Sequence, residues 1–184
     1  MIYLGIDPGG TTGALAILDD TSVRPSALTF TTIQDMKGWI LQEDLDRGSF
    51  ATIELVHSIY GSAAKANFEF GKNLGEWIGL MTGLGIPYQL IPPQRWQKEM
   101  LPGKPQRPAV PHKGKKLTKE QASANRAVLS RHKAAIKAYA ASVAVGLWPD
   151  VDFRRTERCQ GPHDGMVDAA LIAEYGRRTQ GRKV

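Results

Sequence analysis

Four acidic residues stand within or beside apolar segments of the sequence, where a carboxylate needs a cation, a hydrogen bond or a functional role to offset its desolvation. These residues are Asp7, Glu54, Asp164 and Asp168. If the fold brings them together, they cannot all stay ionised without cations, because like charges raise one another's pKa. Mg²⁺ prefers carboxylate oxygens, and a pair of such ions activates water against a phosphodiester. The set therefore predicts hydrolysis of nucleic acid with two Mg²⁺ ions, with Mn²⁺ as an alternative ion.

Each acid also has a purely structural alternative. Asp7 ends the apolar run 2–6 before a turn rich in Gly and Thr, where an Asp side chain often only hydrogen-bonds the turn. Glu54 lies in a β-type run and could face solvent on an edge strand. Asp164 and Asp168 stand four positions apart, so they share a helix face, although Asp164 alone could be an N-cap. Convergence of all four would favour the metal site.

Basic residues are concentrated in one part of the chain. The segment 95–137 contains 12 Lys and Arg but 2 Asp and Glu, a net charge of +10, whereas the remaining residues carry −4. Four prolines interrupt the basic residues of 102–116, which predicts a flexible basic loop. Such a charge favours an acidic partner, and nucleic acid first of all. The predicted DNA-binding residues are Arg95, Lys98, Lys104, Arg107, Lys113, Lys115 and Lys116.

Composition limits the class of protein. A chain of 184 residues with 42% hydrophobic and 23% charged residues is typical of one globular domain, here 1–184. The single cysteine, Cys159, excludes an intrachain disulfide and favours a reducing compartment. The longest apolar stretch, 138–148, is too short to cross a bilayer, and no charged leader precedes an apolar run. We expect a cytoplasmic protein without a membrane partner.

The hydrophobic pattern predicts an α/β fold with a sheet flanked by helices. The predicted strands are 2–6, 14–18, 27–31, 51–56 and 87–91, and the predicted helices are 33–46, 63–84, 94–101, a stretch after Thr118, 131–145 and 164–178. Within helix 63–84 a glycine recurs every four residues, at Gly71, Gly75, Gly79 and Gly83. Each costs about 0.8–1.0 kcal/mol relative to Ala, so the stripe indicates close packing, against the sheet or against a second copy. We favour the second copy.

Several motifs together resemble the RuvC-type Holliday-junction resolvases, and the bacteriophage-like branch in particular. The motifs are the turn sequence 5–13, Glu54, the segment 93–98 and the run 163–173, in that order along nearly the whole chain. The resemblance implies a ribonuclease-H-like fold with a central mixed five-stranded sheet. It also implies a homodimer and Mg²⁺-dependent paired nicking of four-way DNA junctions in a bacterial or phage-infected cell.

The resemblance further implies roles for individual residues. Asp7, Glu54, Asp164 and Asp168 would be the metal-binding catalytic acids. Lys133 would assist at the scissile phosphate, with Lys137 as the alternative. Bacterial RuvC proteins commonly space the last two acids by three rather than four positions, so His163 could replace or support Asp164.

Phe68 is predicted to pack in the core, and stacking on unpaired bases, by Phe68 or Tyr60, is the alternative.

Three other functions are compatible with parts of the sequence. The first motif is also similar to the phosphate loop of actin-like sugar kinases, but those enzymes need two lobes and 184 residues provide one. We therefore expect no nucleotide cofactor. A related nuclease acting on flaps, forks or RNA–DNA hybrids is the main alternative. A junction-binding protein without catalytic activity is the last.

Overall fold

The structure is a computed structural model that describes residues 1–22, 24–45, 48–55, 63–114 and 116–180. The strands are β1 (Ile2–Asp7), β2 (Ala14–Asp19), β3 (Pro25–Thr29), β4 (Ser49–Glu54) and β5 (Tyr88–Ile91). The helices are α1 (Ile33–Ile40), α2 (Ala64–Gly83), α3 (Pro93–Met100), α4 (Lys119–Leu147) and α5 (Asp164–Gln180). None of these helices has the length and apolar sequence that a membrane span requires.

The five strands form one mixed sheet in the order β3-β2-β1-β4-β5, which confirms the predicted fold class. β1 pairs antiparallel with β2 and parallel with β4. The register places Ile6 opposite Ile53, so Asp7 and Glu54 come next at the same edge of the sheet. Glu54 was expected in the middle of its strand and is instead the last residue of β4. This strand end is where parallel β1 and β4 both terminate.

Helices cover both faces of the sheet. One core contains Tyr3 of β1 together with buried residues of α3, α4 and α5, and the other contains Ile2, Leu4 and Ile6 with buried residues of α1 and α2. This division follows from the alternation of side chains along a strand. α5 contacts β1 directly at Gly5, where an added Cβ would lie 2.0 Å from the Ala169 carbonyl oxygen. No other residue type fits at position 5 without a backbone shift.

Two helix boundaries differ from the predicted ones. The two helical stretches predicted after Thr118 form one helix of 29 residues, α4, because no Gly or Pro interrupts the sequence before Gly146. Thr118 and Gln121 form a capping box at its start. The helix predicted over 33–46 ends at Ile40, where the Gln42 and Glu43 amides bond to carbonyls three residues back and tighten the chain.

The glycine stripe of α2 faces away from the protein's own sheet. A Cβ added at Gly71, Gly75, Gly79 or Gly83 would meet no atom within 4 Å, whereas Asn73, Trp77 and Met81 form the buried face. Packing against the sheet therefore does not account for the stripe. A contact with a second copy stays our prediction.

We expect Gly75→Leu combined with Gly79→Leu to give a folded monomer, because two bulky side chains would prevent the close approach of a second helix. Light scattering after size-exclusion chromatography measures the mass. Gly38→Leu is the matched control, since Gly38 is also a helical glycine with open space at its Cβ position. A double variant with an unchanged dimer mass would reject the contact.

Candidate active site

Asp7 and Glu54 lie side by side at the end of β1 and β4 and share a side-chain hydrogen bond. Burial raises the pKa of Asp7 well above its ordinary value, and the charges of Glu54 and Asp168 raise it further. Burial also raises the pKa of Glu54. Two adjacent carboxyl groups with raised pKa values, joined by a hydrogen bond, are favoured to hold a proton between them.

Glu54 is held by a buried tryptophan. The Trp96 indole Nε1 donates a hydrogen bond to Glu54 Oε1 at 2.9 Å, and Trp96 is only 1% exposed. This bond favours the ionised carboxylate and partly opposes the effect of burial on the Glu54 pKa. Trp96 belongs to α3, which starts at Pro93 directly after the last strand. In the sequence, Trp96 was recognisable only as part of the motif 93–98, and no role was predicted for it.

α5 adds Asp168 to the site. Burial, followed by the charges of Glu54 and Asp164, raises the pKa of Asp168 to about 7. The first turn of α5 lies against the β1–β2 turn, because a Cβ at Gly165 would be 2.0 Å from the Thr12 carbonyl oxygen and 3.3 Å from Asp7 Oδ2. The close approach of α5 thus brings the third carboxyl group to the other two.

Asp164 occupies the outer edge of the site. Its side chain is 49% exposed and forms a salt bridge with Lys137 of α4. The Lys137 charge also lowers the pKa values of Asp7 and Asp168 against the larger effect of burial. The structure thus places Lys137, the alternative named above, at the site. Lys133 lies one turn earlier on α4 and is exposed, and its catalytic role stays a prediction.

His163 supports the start of α5. Its Nδ1 accepts a long hydrogen bond of 3.4 Å from the Met166 amide, and its own amide donates to the Phe153 carbonyl at 2.7 Å. Partial burial, and then the charge of Arg155, lowers the pKa of His163, which favours the neutral imidazole. His163 therefore contributes a side-chain contact to the first turn of α5.

The donor chemistry of the site fits a divalent cation. Asp7, Glu54 and Asp168 offer only carboxylate oxygens, which suit Mg²⁺ or Mn²⁺. Burial raises the pKa of all three carboxyl groups and so disfavours their ionised forms when no cation is bound. Within the described ranges, no group of three or more His, Cys, Asp or Glu side chains is arranged to hold an ion as it stands. The residues match the cation in ligand type, and their arrangement is that of a hydrogen-bonded carboxyl pair.

The predicted DNA-binding residues lie on α3 and in the segment 101–118. Arg95 and Lys98 are exposed on α3, and Lys104 donates a hydrogen bond to Gln97 at 2.7 Å. Arg107, Lys113 and Lys116 are exposed, and Lys115 lies outside the described residues.

The described part of the segment 101–118 contains no helix or strand, as predicted. It is nevertheless attached to α4, because Asn125 accepts a hydrogen bond from the His112 amide at 3.1 Å and donates to its carbonyl at 2.8 Å. The flexibility of this loop stays a prediction.

The expectation that Phe68 packs in the core is wrong. Phe68 is 70% exposed near the start of α2. The buried face of this helix passes through Asn73, Trp77 and Met81, and position 68 is turned about 140° away from Asn73 at 100° per residue. The spacing of position 68 from these buried residues was the sequence signal that could have predicted the exposure of Phe68. Tyr60 lies outside the described residues.

Comparison with solved structures gives the fold. A structure of T. thermophilus RuvC in complex with a Holliday junction substrate matches with a TM-score of 0.56 and 13% identity, covering 97% of this chain and 96% of that one. A second structure of Thermus thermophilus RuvC has a TM-score of 0.49 and 14% identity, covering 98% and 97%. In sequence comparisons, no family model and no curated protein matches the chain. The first of these matches shows that the chain has the ribonuclease-H-like fold of RuvC.

Proposed function

We propose that this protein is a divalent-metal-dependent endodeoxyribonuclease that resolves four-way DNA junctions by paired phosphodiester hydrolysis. The observation that carries the proposal is the convergence of Asp7, Glu54 and Asp168 from three separate elements. The fold supports it, since the RuvC structure that matches along 97% of this chain is bound to a Holliday junction. The motifs 5–13, 93–98 and 163–173, which resemble RuvC proteins, support the same substrate class.

In this proposal the acids hold two Mg²⁺ ions. Asp7, Glu54 and Asp168 are the ligands, and Asp164 supports them from the exposed edge. When bound, such ions supply an activated water and stabilise the leaving oxygen. Trp96 fixes the orientation of Glu54 through its indole N–H. Lys137 supplies a positive charge at Asp164, where the DNA strand approaches.

The proposal is tested by offering several substrates in parallel. Purified protein with Mg²⁺ is incubated with a synthetic four-way junction, a linear duplex, a flap and an RNA–DNA hybrid. We expect symmetric paired nicks in the junction and little cleavage of the duplex. Preferred cleavage of the flap or hybrid would indicate a related nuclease of the same fold. Absence of cleavage on all four substrates would reject the nuclease proposal.

The basic loop should contact phosphates. Neutralising Lys113, Lys115 and Lys116 together should weaken binding to any DNA and reduce the slope of log K against log salt by about 0.9 per lost contact. Fluorescence anisotropy at several salt concentrations measures both effects. Lys37→Gln, an exposed lysine of α1, controls for the loss of charge alone. An unchanged slope in the triple variant would exclude a phosphate-contact role.

Trp96→Phe should weaken metal binding by about 10–100-fold, because the aromatic body remains but the hydrogen bond that orients Glu54 is lost. Calorimetric titration with Mn²⁺ measures the affinity. Trp39→Phe, at a partly buried tryptophan of α1, is the matched control. If Trp96→Phe binds Mn²⁺ like the wild type, Trp96 only fills space.

A further inference from the structure

The connection between α4 and α5 contains an ordered loop, which we call the arginine loop and define as residues 153–163. Its two ends are joined, because the His163 amide donates to the Phe153 carbonyl at 2.7 Å. Phe153 is 2% exposed and packs against Trp148, with ring centroids 6.1 Å apart. The buried base of the loop therefore fixes its position at the start of α5, where Asp164 follows directly.

One of the three arginines holds the loop together. The Arg154 side chain donates to Asp152 from Nε and Nη2, at 3.0 and 2.8 Å, and to the Glu157 carbonyl from Nη1 at 3.1 Å. The Cys159 amide donates to the Thr156 carbonyl at 3.0 Å. The charge of Arg154 is thus neutralised by Asp152, and its guanidinium organises the loop backbone.

Arg155 and Arg158 differ from Arg154 in their contacts. Both are exposed, and neither forms an ion pair with a carboxylate in the part of the chain that the structure describes. The Phe153 carbonyl accepts the hydrogen bond of the His163 amide at 2.7 Å, so Arg155 stands two residues from the point where the loop meets the start of α5. Asp164 follows His163 directly and forms a salt bridge with Lys137 of α4. Two guanidinium groups without a carboxylate partner in the described residues therefore stand on a loop that leads directly into Asp164.

We propose that Arg155 and Arg158 bind backbone phosphates of the DNA strand that enters the active site. This inference rests on the proposed nuclease function. A guanidinium group presents parallel N–H donors that match two oxygens of one phosphate, and it stays charged at any working pH. The loop forms a second phosphate-binding surface, separate in sequence from the basic segment 95–137. It positions the strand next to the carboxyl groups that act on it.

The charge pattern of the sequence does not reveal this surface. The stretch 148–168 contains three Arg but five Asp and Glu, so it has a net negative charge. Only the structure shows that Asp152 compensates Arg154, while Arg155 and Arg158 remain available. The acids at positions 164 and 168 belong to the active site and leave these two arginines without a carboxylate partner in the described residues.

The test measures binding of a four-way junction at several salt concentrations in EDTA, followed by cleavage with Mg²⁺. Arg155→Ala and Arg158→Ala should each reduce the slope of log K against log salt by about 0.9, and the double variant by about twice that amount. Arg155→Lys should keep most of the slope but lose part of the affinity, because the ammonium group lacks the fork of donors. Lys37→Ala removes the same charge from α1, on the opposite face of the sheet, and should leave the slope unchanged.

The outcomes separate the two proposals. If the wild type cuts the junction and the double variant keeps the wild-type slope and affinity, the role of the arginine loop is overturned and the nuclease function stands. If the wild type neither binds nor cuts DNA, both proposals fail. Both arginines are exposed, so the variants should keep the wild-type melting temperature, which confirms that any lost binding is a local effect.

Discussion

Asp7→Asn should reduce Mg²⁺-dependent junction cleavage by at least about 10³-fold, because the substitution removes a central charged ligand from the site that stabilises the reacting phosphate. Glu54→Gln and Asp168→Asn should have effects of the same size. DNA binding in EDTA should be retained or improved, since the neutral side chains remove negative charge that repels phosphate. Single-turnover cleavage of a labelled junction and anisotropy binding measure the two quantities separately.

Asp44→Asn is the matched control for this series, because Asp44 is an exposed acid outside the site and its loss changes the net charge equally. Asp164→Asn should have a smaller effect than Asp7→Asn, since Asp164 is half exposed and paired with Lys137. Wild-type cleavage rates in both Asp7→Asn and Glu54→Gln would show that the assignment of the site is wrong.

The metal-free protein should lose stability as the pH rises from about 4 to above 7. The folded-state pKa of Asp168 is about 7, whereas an unfolded Asp titrates near 3.9. Because the pKa of Asp168 is higher in the folded protein than in the unfolded one, protonation of Asp168 stabilises the folded state. This contribution to the free energy of unfolding is complete below the unfolded-state pKa and is lost as the pH rises through the folded-state pKa. The pKa of Asp7 is shifted in the same direction. At pH 8 ionised Asp168 lowers the free energy of unfolding by about 2 kcal/mol, after allowance for its partial exposure.

Asp168→Asn removes this cost, so in EDTA at pH 8 the variant should melt about 4–8 °C above the wild type. At pH 4 the two proteins should melt at similar temperatures. Mg²⁺ or Mn²⁺ should raise the wild-type melting temperature at pH 8, where the carboxylates are ionised, and have a smaller effect on the variant. Thermal melts followed by circular dichroism give these values. Parallel curves for the two proteins from pH 4 to 8 would contradict the raised pKa.

Local patterns along the chain were sufficient to predict several elements of the fold. The apolar run that ends at Asp7 predicts β1, and Thr118 predicts the start of α4, which begins at Lys119. The spacing of Asp164 and Asp168 predicts that they lie on one helix, as they do in α5. These signals are local because strand alternation, helical periodicity and capping involve residues only a few positions apart.

Which side chains meet in the site could not be predicted from local patterns, because it depends on how distant elements pack. The pairing of β4 with β1 brings Glu54 to Asp7, and the contact of α5 at Gly5 brings Asp168 to both. The partner of Glu54, Trp96, is 42 positions away in the sequence. The contact of Lys137 with Asp164, the exposure of Phe68 and the open glycine stripe depend in the same way on how the helices are rotated against the sheet. Such contacts depend on packing between distant segments, because a side chain's surroundings are set by every element that covers it.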